Sequence, residues 1–461
     1  MTTQKFDAVV VGAGPGGYVA AIRLAQLGKS VALVEREYWG GVCLNIGCIP
    51  TKALLKNAEV AQLLKTQAEA FGISGEVSVS YEAAFKRSRE VSEGRVKGIH
   101  YLTKKNGITE FQGTAYFKSA NTMTVTTQTE VVELEFENAI IATGASPRLL
   151  PGIERSERVY TYEKQILADQ APKSLVIIGA GAIGVEFSFL LSAYGTEITL
   201  IEALDRVLPL EDQETSKEIA SQLRKRGVVV KTGAIVESAS ENPGSVTVTL
   251  RDGQEIEAEA VMVSIGFAPN LDGYGLENTG VKISDRRAIE VDDQLRTSVP
   301  NLFAIGDVTA KLQLAHVAEA QGVVAAETIA GLNPKGVSDY SSMPRAIFTN
   351  PQVASFGLTE EQARERFEPL VSKFSMVANG KAHAIAAPYG FVKLIADPDS
   401  RHLVGAHIVS ANAADLISEL TLAHSAGISI DELNHNVHIH PTLSEGVQEA
   451  LHGLVGQMIN A

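Results

Sequence analysis

Two stretches of the chain share one order of apolar and polar positions. In each, a short apolar run leads into a cluster of glycines, then a helical pattern, then a second apolar run that ends in glutamate. The first stretch covers residues 6–35 and the second covers residues 175–202. The order of strand, glycine turn, helix and strand predicts a βαβ unit with parallel strands. We therefore expect two such units in an α/β chain.

Both glycine turns have the spacing of a dinucleotide-binding loop. The glycines are Gly12, Gly14 and Gly17 in the first turn and Gly179, Gly181 and Gly184 in the second. The first glycine makes the tight turn, the second lets the backbone approach a pyrophosphate, and the third lets helix and strand pack closely. Glu35 and Glu202, at the ends of the second strands, are placed to accept hydrogen bonds from ribose hydroxyls. One such turn could be a plain tight turn, but the repeat at a constant offset predicts two bound nucleotides.

Glu202, at the end of the second unit, indicates whether NAD or NADP is used. A carboxylate at the ribose repels the 2′-phosphate of NADP, so Glu202 favours NAD. Arg206 follows a few residues later and leaves NADP open as the alternative.

Three further segments end at or directly after a glycine. Residues 297–307 are expected to form a strand that ends in Gly306 and Asp307, where the carboxylate could bind a ribityl hydroxyl of a flavin or could be an ordinary acidic turn residue. The strands that end near Gly144 and Gly266 are interpreted as exits from domains.

Only two cysteines, Cys43 and Cys48, occur in the 461 residues. This number excludes a disulfide scaffold and a four-cysteine zinc site. Residues five apart on an ideal helix are displaced by about 7.5 Å along its axis, so two such cysteines could not form a disulfide. The glycines of segment 40–52 and Pro50 permit a distorted segment before, or at the start of, a regular helix. We expect a redox pair, with two buried inert thiols as the alternative.

A reactive thiolate needs a base, because a cysteine with a pKa of about 8.5 is mostly protonated at neutral pH. The segment 435–445 contains His435, His438 and His440, and a nearby imidazolium could stabilise a thiolate. The three histidines could instead bind a metal, but no carboxylate or cysteine at ligand spacing completes a site, so no metal is expected. We expect His435 and His438 to be ordinary solvated side chains.

Composition narrows the class of protein. A hydrophobic content of 45% and a charged content of 20% predict a globular chain of two to four domains. The formal net charge of −14 argues against a nucleic-acid partner. The sequence shows no apolar run long enough for a membrane span and no signal-peptide pattern. We expect a soluble cytoplasmic protein, or a mitochondrial matrix protein if a presequence was removed.

These stretches closely resemble the class I pyridine nucleotide-disulfide oxidoreductases, and among them the bacterial dihydrolipoamide dehydrogenases. The resemblance covers essentially the whole chain and is most specific at residues 40–52 and 440–445. It implies FAD in the first nucleotide site, NAD in the second, and a homodimer in which each active site takes its histidine from the other subunit.

The resemblance also implies roles for individual residues. Cys43 would be the interchange thiol, and Cys48 would lie against the flavin and form a charge-transfer pair. His440 would be the acid-base, with Glu445 orienting it. Lys52 would lie by the flavin ring, paired with Glu186 of the second glycine motif, which is also assigned to the NAD site. The remaining implied contacts are Ala115, Gly144, Asp307 and Ala315 for FAD, and Val236 and Gly266 for NAD. Val42 and the pair Phe267 and Ala268 depart from the family pattern and put local contacts in doubt.

The expected fold class is α/β, with two Rossmann-like dinucleotide-binding domains for FAD and NAD and a C-terminal α+β dimerisation domain. We expect the FAD domain at 1–148 and 273–342, the NAD domain at 149–272 and the dimerisation domain at 343–461. The expected partner is a lipoyl-bearing acyltransferase (E2) of a 2-oxoacid dehydrogenase complex, or a lipoyl carrier protein. The alternatives are another disulfide reductase of the same family and a non-catalytic scaffold of an acyltransferase assembly.

Overall fold

Strands and helices follow one another along most of the computed structural model, which describes residues 2–460. The strands are β1 (Thr3–Val11), β2 (Val31–Glu35), β3 (Thr109–Phe117), β4 (Thr122–Thr127), β5 (Val131–Ile141), β6 (Ala145–Pro147), β7 (Val159–Thr161), β8 (Ser174–Ile178), β9 (Glu197–Ile201), β10 (Val229–Lys231), β11 (Val236–Asn242), β12 (Ser245–Leu250), β13 (Glu255–Ala258), β14 (Ala260–Val263), β15 (Phe267–Pro269), β16 (Leu302–Ala304), β17 (Arg345–Ile347), β18 (Gln352–Gly357), β19 (Leu370–Ser375), β20 (Phe391–Ala396) and β21 (Leu403–Ser410). The α-helices are α1 (Pro15–Gln26), α2 (Gly41–Ile46), α3 (Cys48–Gln67), α4 (Tyr81–Lys105), α5 (Tyr162–Ile166), α6 (Ala182–Ser192), α7 (Gln213–Lys225), α8 (Ala315–Ile329), α9 (Glu360–Arg364), α10 (Gly380–Ala384), α11 (Ala413–Ala426), α12 (Ile430–Leu433) and α13 (Glu445–Leu454). Short 3-10 turns lie at Glu69–Phe71, Leu276–Asn278, Gly306–Thr309 and Met376–Ala378. Within residues 2–460, no helix combines the length and the apolar character that crossing a membrane requires.

The chain folds into two compact units, each made of separate pieces of sequence. Unit 1 contains residues 2–53, 83–148 and 266–340, and unit 2 contains residues 54–82, 149–265 and 341–460. The division into FAD, NAD and dimerisation domains at the residue numbers given above stays a prediction.

A six-stranded sheet forms the centre of unit 1. Strand β1 pairs in parallel with β2 and β5, β2 pairs in parallel with β3, and β16 pairs in parallel with β5. Strand β4 pairs antiparallel with both β3 and β5. The last residues of β1, 8–11, are all buried, because a parallel strand is covered on both faces. The carboxyl end of β1 leads directly into the first glycine turn.

Helices α1 and α8 of unit 1 pack with their backbones close together. A Cβ atom added to Gly322 of α8 would lie 2.6 Å from the carbonyl oxygen of Gly16 in α1. A Cβ atom added to Gly16 would lie 2.9 Å from the carbonyl oxygen of Ala318. Glycine at both positions therefore permits the contact that fixes α1 behind the glycine turn.

Unit 2 contains a parallel sheet, a five-stranded antiparallel sheet and a three-stranded antiparallel sheet. The parallel sheet has the order β10-β9-β8-β14-β7, and β8, α6 and β9 form the second predicted βαβ unit. The antiparallel sheet has the order β17-β18-β21-β20-β19 and shares an apolar core with α11 and α13. A smaller antiparallel sheet consists of β11, β12 and β13. The predicted fold class, two Rossmann-like parts and a C-terminal α+β part, is confirmed.

A buried lysine joins several elements of unit 2. The Nζ atom of Lys393 on β20 lies 3.0 Å from Asp212, 2.9 Å from Glu214 and 2.7 Å from Glu360, and its side chain is 3% exposed. Burial alone would raise the pKa of Asp212, but His407 and Lys393 lower it more, so this carboxyl stays ionised. Burial would lower the pKa of Lys393, but the hydrogen bonds with Glu360 and Glu214 raise it to about 12. The cluster thus holds the starts of α7 and α9 against β20.

Replacing Lys393 with methionine should destabilise unit 2, because the buried carboxylate of Asp212 would lose its cation. Loss of one partner of a buried ion pair costs about 3–5 kcal/mol. The control is Lys373→Met, since Lys373 also contacts Glu214 but its side chain is 46% exposed, and an exposed pair is worth about 0–1 kcal/mol. Urea unfolding followed by circular dichroism measures both losses. Equal losses for the two variants would contradict the role of the buried cluster.

Candidate active site

The two cysteines lie on either side of a break between helices α2 and α3, and both belong to unit 1. Cys43 lies in α2, Cys48 is the first residue of α3, and Gly47 separates them. A Cβ atom added to Gly47 would lie 2.8 Å from the carbonyl oxygen of Val42, so a side chain does not fit there. The break lets the two thiol side chains share a hydrogen bond. The expected distortion at the start of a regular helix is therefore present.

The two thiols do not ionise independently. The hydrogen bond with Cys48 and burial both raise the pKa of Cys43, and a negative charge on Cys48 raises it further. The ammonium of Lys52 acts in the opposite direction. Cys43 therefore keeps its proton when Cys48 is ionised, and Lys52 is close enough to act on the pair electrostatically.

The cysteine segment packs against the first glycine turn. The amide of Gly40 donates to the carbonyl oxygen of Ala13 at 2.9 Å. Gly41 has φ +68°, and a Cβ atom added to it would lie 2.6 Å from the Cα atom of Gly14. Two glycine backbones thus meet where α2 begins, and this contact places Cys43 next to the first dinucleotide-binding loop.

The first glycine turn has the close contacts that its spacing predicts. Gly12 has φ +104°, and an added Cβ atom would lie 2.3 Å from the carbonyl oxygen of Ala142. A Cβ atom added to Gly17 would lie 1.9 Å from the carbonyl oxygen of Gly12. The carboxylate of Glu35 accepts the Ala13 amide at 2.8 Å, and its other oxygen accepts amides from residues 37 and 38. A carboxylate has about four acceptor positions, so Glu35 keeps room for a ribose hydroxyl.

Asp307 lies in the 3-10 turn Gly306–Thr309 and not at the end of a strand. The strand before this turn, β16, is shorter than the predicted strand 297–307. Burial raises the pKa of Asp307 to about 6. A buried carboxylate is stabilised by hydroxyl or amide donors, so Asp307 fits a ribityl hydroxyl of a bound flavin.

Ala315 is the first residue of the 15-residue helix α8, whose N-terminus favours a negative group. Ala115 is buried in β3, and Gly144, with φ +70°, follows β5.

The second glycine turn, in unit 2, repeats the contacts of the first. Gly179 has φ +101°, and an added Cβ atom would lie 2.5 Å from the carbonyl oxygen of Ser264. A Cβ atom added to Gly184 would lie 1.9 Å from the carbonyl oxygen of Gly179. The carboxylate of Glu202 accepts the amides of Ala180 at 2.8 Å and Leu204 at 2.9 Å. The second turn therefore has the same backbone contacts and the same carboxyl–amide hydrogen bonds as the first.

The other predicted residues of the nucleotide sites are spread over several elements. Gly14 and Gly181 precede α1 and α6 as the N-cap residues. Glu186 is buried in α6 and accepts the amide of Phe348 at 2.9 Å. Val236 begins β11, and Gly266, with φ +100°, follows β14. The ion pair of Lys52 with Glu186 joins residues of separate units and stays a prediction.

His440 and Glu445 of unit 2 form a hydrogen-bonded pair. The Nδ1 atom of His440 lies 2.8 Å from one oxygen of Glu445, and the other oxygen accepts the amide of Thr442 at 2.8 Å. Burial would raise the pKa of Glu445, but the Thr442 amide and His440 lower it more. Glu445 is therefore ionised and orients the imidazole. The His440 side chain is 80% exposed, so the ring is accessible on the surface of the chain.

One prediction in this segment was wrong. His438 is not solvated: its side chain is 4% exposed, and its Nε2 atom lies 3.0 Å from Glu419 of α11. His435 is exposed, as expected, with Nδ1 2.8 Å from the carbonyl oxygen of Asp431. The spacing of the histidines contains no signal of a carboxylate 19 residues away, so sequence reasoning missed Glu419. Within residues 2–460, no group of three or more potential ligand side chains is arranged to hold a metal ion.

Two family models together match most of the chain. Residues 6–322 match the pyridine nucleotide-disulphide oxidoreductase model, and residues 343–451 match the dimerisation domain of the same family. The chain belongs to the pyridine nucleotide-disulphide oxidoreductase family. This family uses FAD and NAD, and the dimerisation domain supports a homodimer.

Relatives within this family match over their full length. The dihydrolipoyl dehydrogenase of Mycobacterium bovis is 56% identical over 460 residues, which are 99% of each chain. That of Corynebacterium glutamicum is 53% identical and covers 99% of this chain and 100% of the relative. The solved structure of LpdA from Mycobacterium tuberculosis has a TM-score of 0.91 at 25% identity and covers 98% of this chain and 100% of that chain. The resemblance to dihydrolipoamide dehydrogenases is confirmed, and the chain is an FAD- and NAD-linked disulfide oxidoreductase.

Replacing Gly47 with alanine should slow closure of a disulfide between Cys43 and Cys48, because the new Cβ atom would push α2 and α3 apart. A displacement of about 1 Å between reacting groups can cost roughly 100-fold in rate. Gly94→Ala in α4 is the control, since a Cβ atom there meets no heavy atom within 4 Å. Alkylation of free thiols at timed intervals during oxidation measures closure. Unchanged closure in Gly47→Ala would contradict the account of the break.

Replacing Asp307 with asparagine should raise the melting temperature of the FAD-free protein at pH 7 and weaken FAD binding. The folded pKa of about 6 lies above the ordinary value of 3.8, so the ionised carboxylate opposes folding at pH 7. This cost disappears as the pH falls through 6 toward 4, and the gain should disappear with it. Asp272→Asn is the control, because the Asp272 side chain is 89% exposed. A pH-independent gain would contradict the assignment to the Asp307 charge.

Proposed function

We propose that this chain works as a dihydrolipoyl dehydrogenase, which passes two electrons from a dihydrolipoyl group through Cys43 and Cys48 and then through FAD to NAD⁺. The observation that carries the proposal is the hydrogen bond between the two thiols across the break at Gly47. The identity of 53–56% to dihydrolipoyl dehydrogenases supports the choice of substrate.

The proposed thiol exchange has two steps, with Cys43 and Cys48 starting as a disulfide. One substrate thiolate attacks the sulfur of Cys43, a mixed disulfide forms, and Cys48 leaves as a thiolate. The second substrate thiol then loses its proton and attacks the substrate sulfur of the mixed disulfide, and Cys43 is released. The lipoyl group is oxidised to its disulfide and the protein disulfide is reduced to two thiols. The coupling of the two protein thiols suits this order, because Cys43 keeps a proton while Cys48 is ionised.

His440 would accept the proton of the attacking thiol and return it to Cys43. A thiolate is the attacking form, so a base beside the substrate raises the fraction that can react. The ionised Glu445 fixes Nδ1 as the hydrogen-bonded nitrogen and leaves Nε2 for the proton. In the homodimer, His440 would serve the cysteine pair of the partner subunit, as the family resemblance implies.

The two nucleotide sites would hold the cofactors. The turn at Gly12, Gly14 and Gly17 would receive the FAD pyrophosphate, Glu35 the ribose, and Asp307 the ribityl chain. The turn at Gly179, Gly181 and Gly184 would receive NAD, with Glu202 on the ribose. A bound FAD would supply the two-electron redox chemistry that links the dithiol to NAD⁺. Supporting contacts are proposed for Lys52, Ala115, Gly144 and Ala315 at FAD, and for Glu186, Val236 and Gly266 at NAD.

The lipoyl group would be carried by a lipoyl-bearing acyltransferase of a 2-oxoacid dehydrogenase complex or by a lipoyl carrier protein, in the cytoplasm. The net charge of −14 supports docking to a basic surface, because complementary charge speeds association. The domain division proposed from the sequence, with FAD at 1–148 and 273–342, NAD at 149–272 and dimerisation at 343–461, fits these roles.

Replacing Cys48 with serine should abolish NAD⁺ reduction by dihydrolipoamide, because serine cannot take part in the disulfide. The purified variant should still contain bound flavin, which its visible absorbance would show, because the fold and not the Cys48 thiol holds the cofactor. Initial rates of NADH formation measure the loss. Activity near that of the unmodified protein would exclude the cysteine relay. A protein that is inert to dihydrolipoamide but reduces another disulfide would be a different reductase of the same family.

Replacing His440 with glutamine should lower kcat by about 10²- to 10⁴-fold, the usual contribution of a general acid-base. His435→Gln is the control, because His435 is exposed and its Nδ1 atom lies 2.8 Å from the backbone carbonyl oxygen of Asp431. Steady-state kinetics with dihydrolipoamide and NAD⁺ measure both variants. Equal kcat values for the two variants would remove His440 from the mechanism.

A further inference from the structure

The loop after β9 contains one cation among several acids. Residues 202–212 read Glu-Ala-Leu-Asp-Arg-Val-Leu-Pro-Leu-Glu-Asp, so Arg206 lies four residues after Glu202. An arginine near the adenosine ribose is the residue that proteins use to accept the 2′-phosphate of NADP. From the sequence, Arg206 could therefore weaken the preference for NAD that Glu202 predicts.

Arg206 is bound to another side chain of unit 2. Its Nη1 and Nη2 atoms donate to the two oxygens of Glu361 at 3.2 Å and 3.0 Å. This is the bidentate geometry that matches a guanidinium to a carboxylate, and the same two donors would be needed for a phosphate. The Arg206 side chain is 26% exposed and that of Glu361 is 46% exposed, so a ligand entering from solvent could compete for Arg206.

Glu361 is held in place by its neighbours in α9. Thr359 and Gln362 form a capping box at the start of this helix. The amide of Glu360 donates to Asp212 at 3.2 Å, and its carboxylate contacts the buried Lys393 at 2.7 Å. The cluster around Lys393 thus fixes the helix turn that presents Glu361 to Arg206.

The charges around Arg206 are mainly negative. The hydrogen bond with Glu361 raises the pKa of Arg206, and the charges of Asp205 and Asp212 add to it. Glu202 is bound to the amides of Ala180 and Leu204 and remains at the end of β9. A 2′-phosphate beside Glu202 would therefore meet a carboxylate, while Arg206, the one cation of residues 202–212, is already paired.

We propose that Glu361 is a specificity-determining positioning residue, which holds Arg206 in an ion pair and so withholds it from the 2′-phosphate of NADP. The preference for NAD then has two sources: repulsion by Glu202 and occupation of Arg206 by Glu361. This inference rests on the proposed assignment of the second glycine turn to the nicotinamide dinucleotide.

The test compares Glu361→Gln, Glu202→Gln and the double variant, each with and without Arg206→Gln, in the full-length flavin-bound protein. The kcat/KM values for NADP⁺ and NAD⁺ are measured with dihydrolipoamide, and the Kd of NADP⁺ is measured by calorimetry. Glu368→Gln is the matched control, since it removes an exposed carboxylate that pairs with Arg364 instead.

Glu361→Gln should raise the ratio of kcat/KM for NADP⁺ over NAD⁺ by roughly 3- to 10-fold, mainly through KM, with kcat for NAD⁺ unchanged. The gain should be larger in the double variant, absent when Arg206 is also replaced, and absent in Glu368→Gln. An unchanged ratio and Kd in Glu361→Gln would overturn the inference, as would an equal gain without Arg206. Loss of NADP⁺ binding in Arg206→Gln with Glu361 intact would also overturn it, because Arg206 would then already contact the phosphate. A protein that fails to reduce NAD⁺ before any replacement would contradict the proposed function instead.

Discussion

The chemistry of this protein depends on close contacts between two backbone segments that leave no space for a Cβ atom. At Gly47, an added Cβ atom would lie 2.8 Å from the carbonyl oxygen of Val42, and this close approach breaks one helix into two and brings Cys43 to Cys48. At Gly41, an added Cβ atom would lie 2.6 Å from Gly14, and this contact holds the cysteine segment against the first nucleotide loop. Because both contacts are made by backbone, small side chains cannot substitute for glycine. The thiol pair and the first glycine turn are therefore positioned by one packed segment.

Several glutamate carboxyl groups fix the orientation of neighbouring polar groups. Glu35 and Glu202 each accept the amide that follows the first glycine of their turn, so the two glycine turns are built by the same contacts in separate units. Glu445 orients His440, and Glu361 pairs with Arg206. In each case the carboxyl oxygens determine where a neighbouring donor points, which costs less than leaving a polar group without a partner.

Local sequence patterns could predict the parts of the fold that local contacts create. The two βαβ units, the glycine turns and the distorted cysteine segment all follow from spacing within about 30 residues, the length of such a unit. The patterns could not predict that His438 is buried against Glu419 or that Arg206 pairs with Glu361, because these partners come from distant segments. The predicted strand 297–307 was too long at both ends, because β16 covers only Leu302–Ala304 and Asp307 lies in the 3-10 turn Gly306–Thr309. The buried Lys393 would be expected at the surface from its residue type, and only the carboxylates from α7 and α9 explain its position.

The central claim is that Cys43 and Cys48 carry the electrons between the dihydrolipoyl group and NAD⁺. The most direct measurement adds dihydrolipoamide to the oxidised protein without oxygen, blocks free thiols with an alkylating reagent, and locates the reagent by mass spectrometry before and after NAD⁺ is added. We predict that both cysteines become alkylated after dihydrolipoamide and that both are again protected, as a disulfide, after NAD⁺. NADH formation while both cysteines stay unchanged in their reactivity would contradict the account.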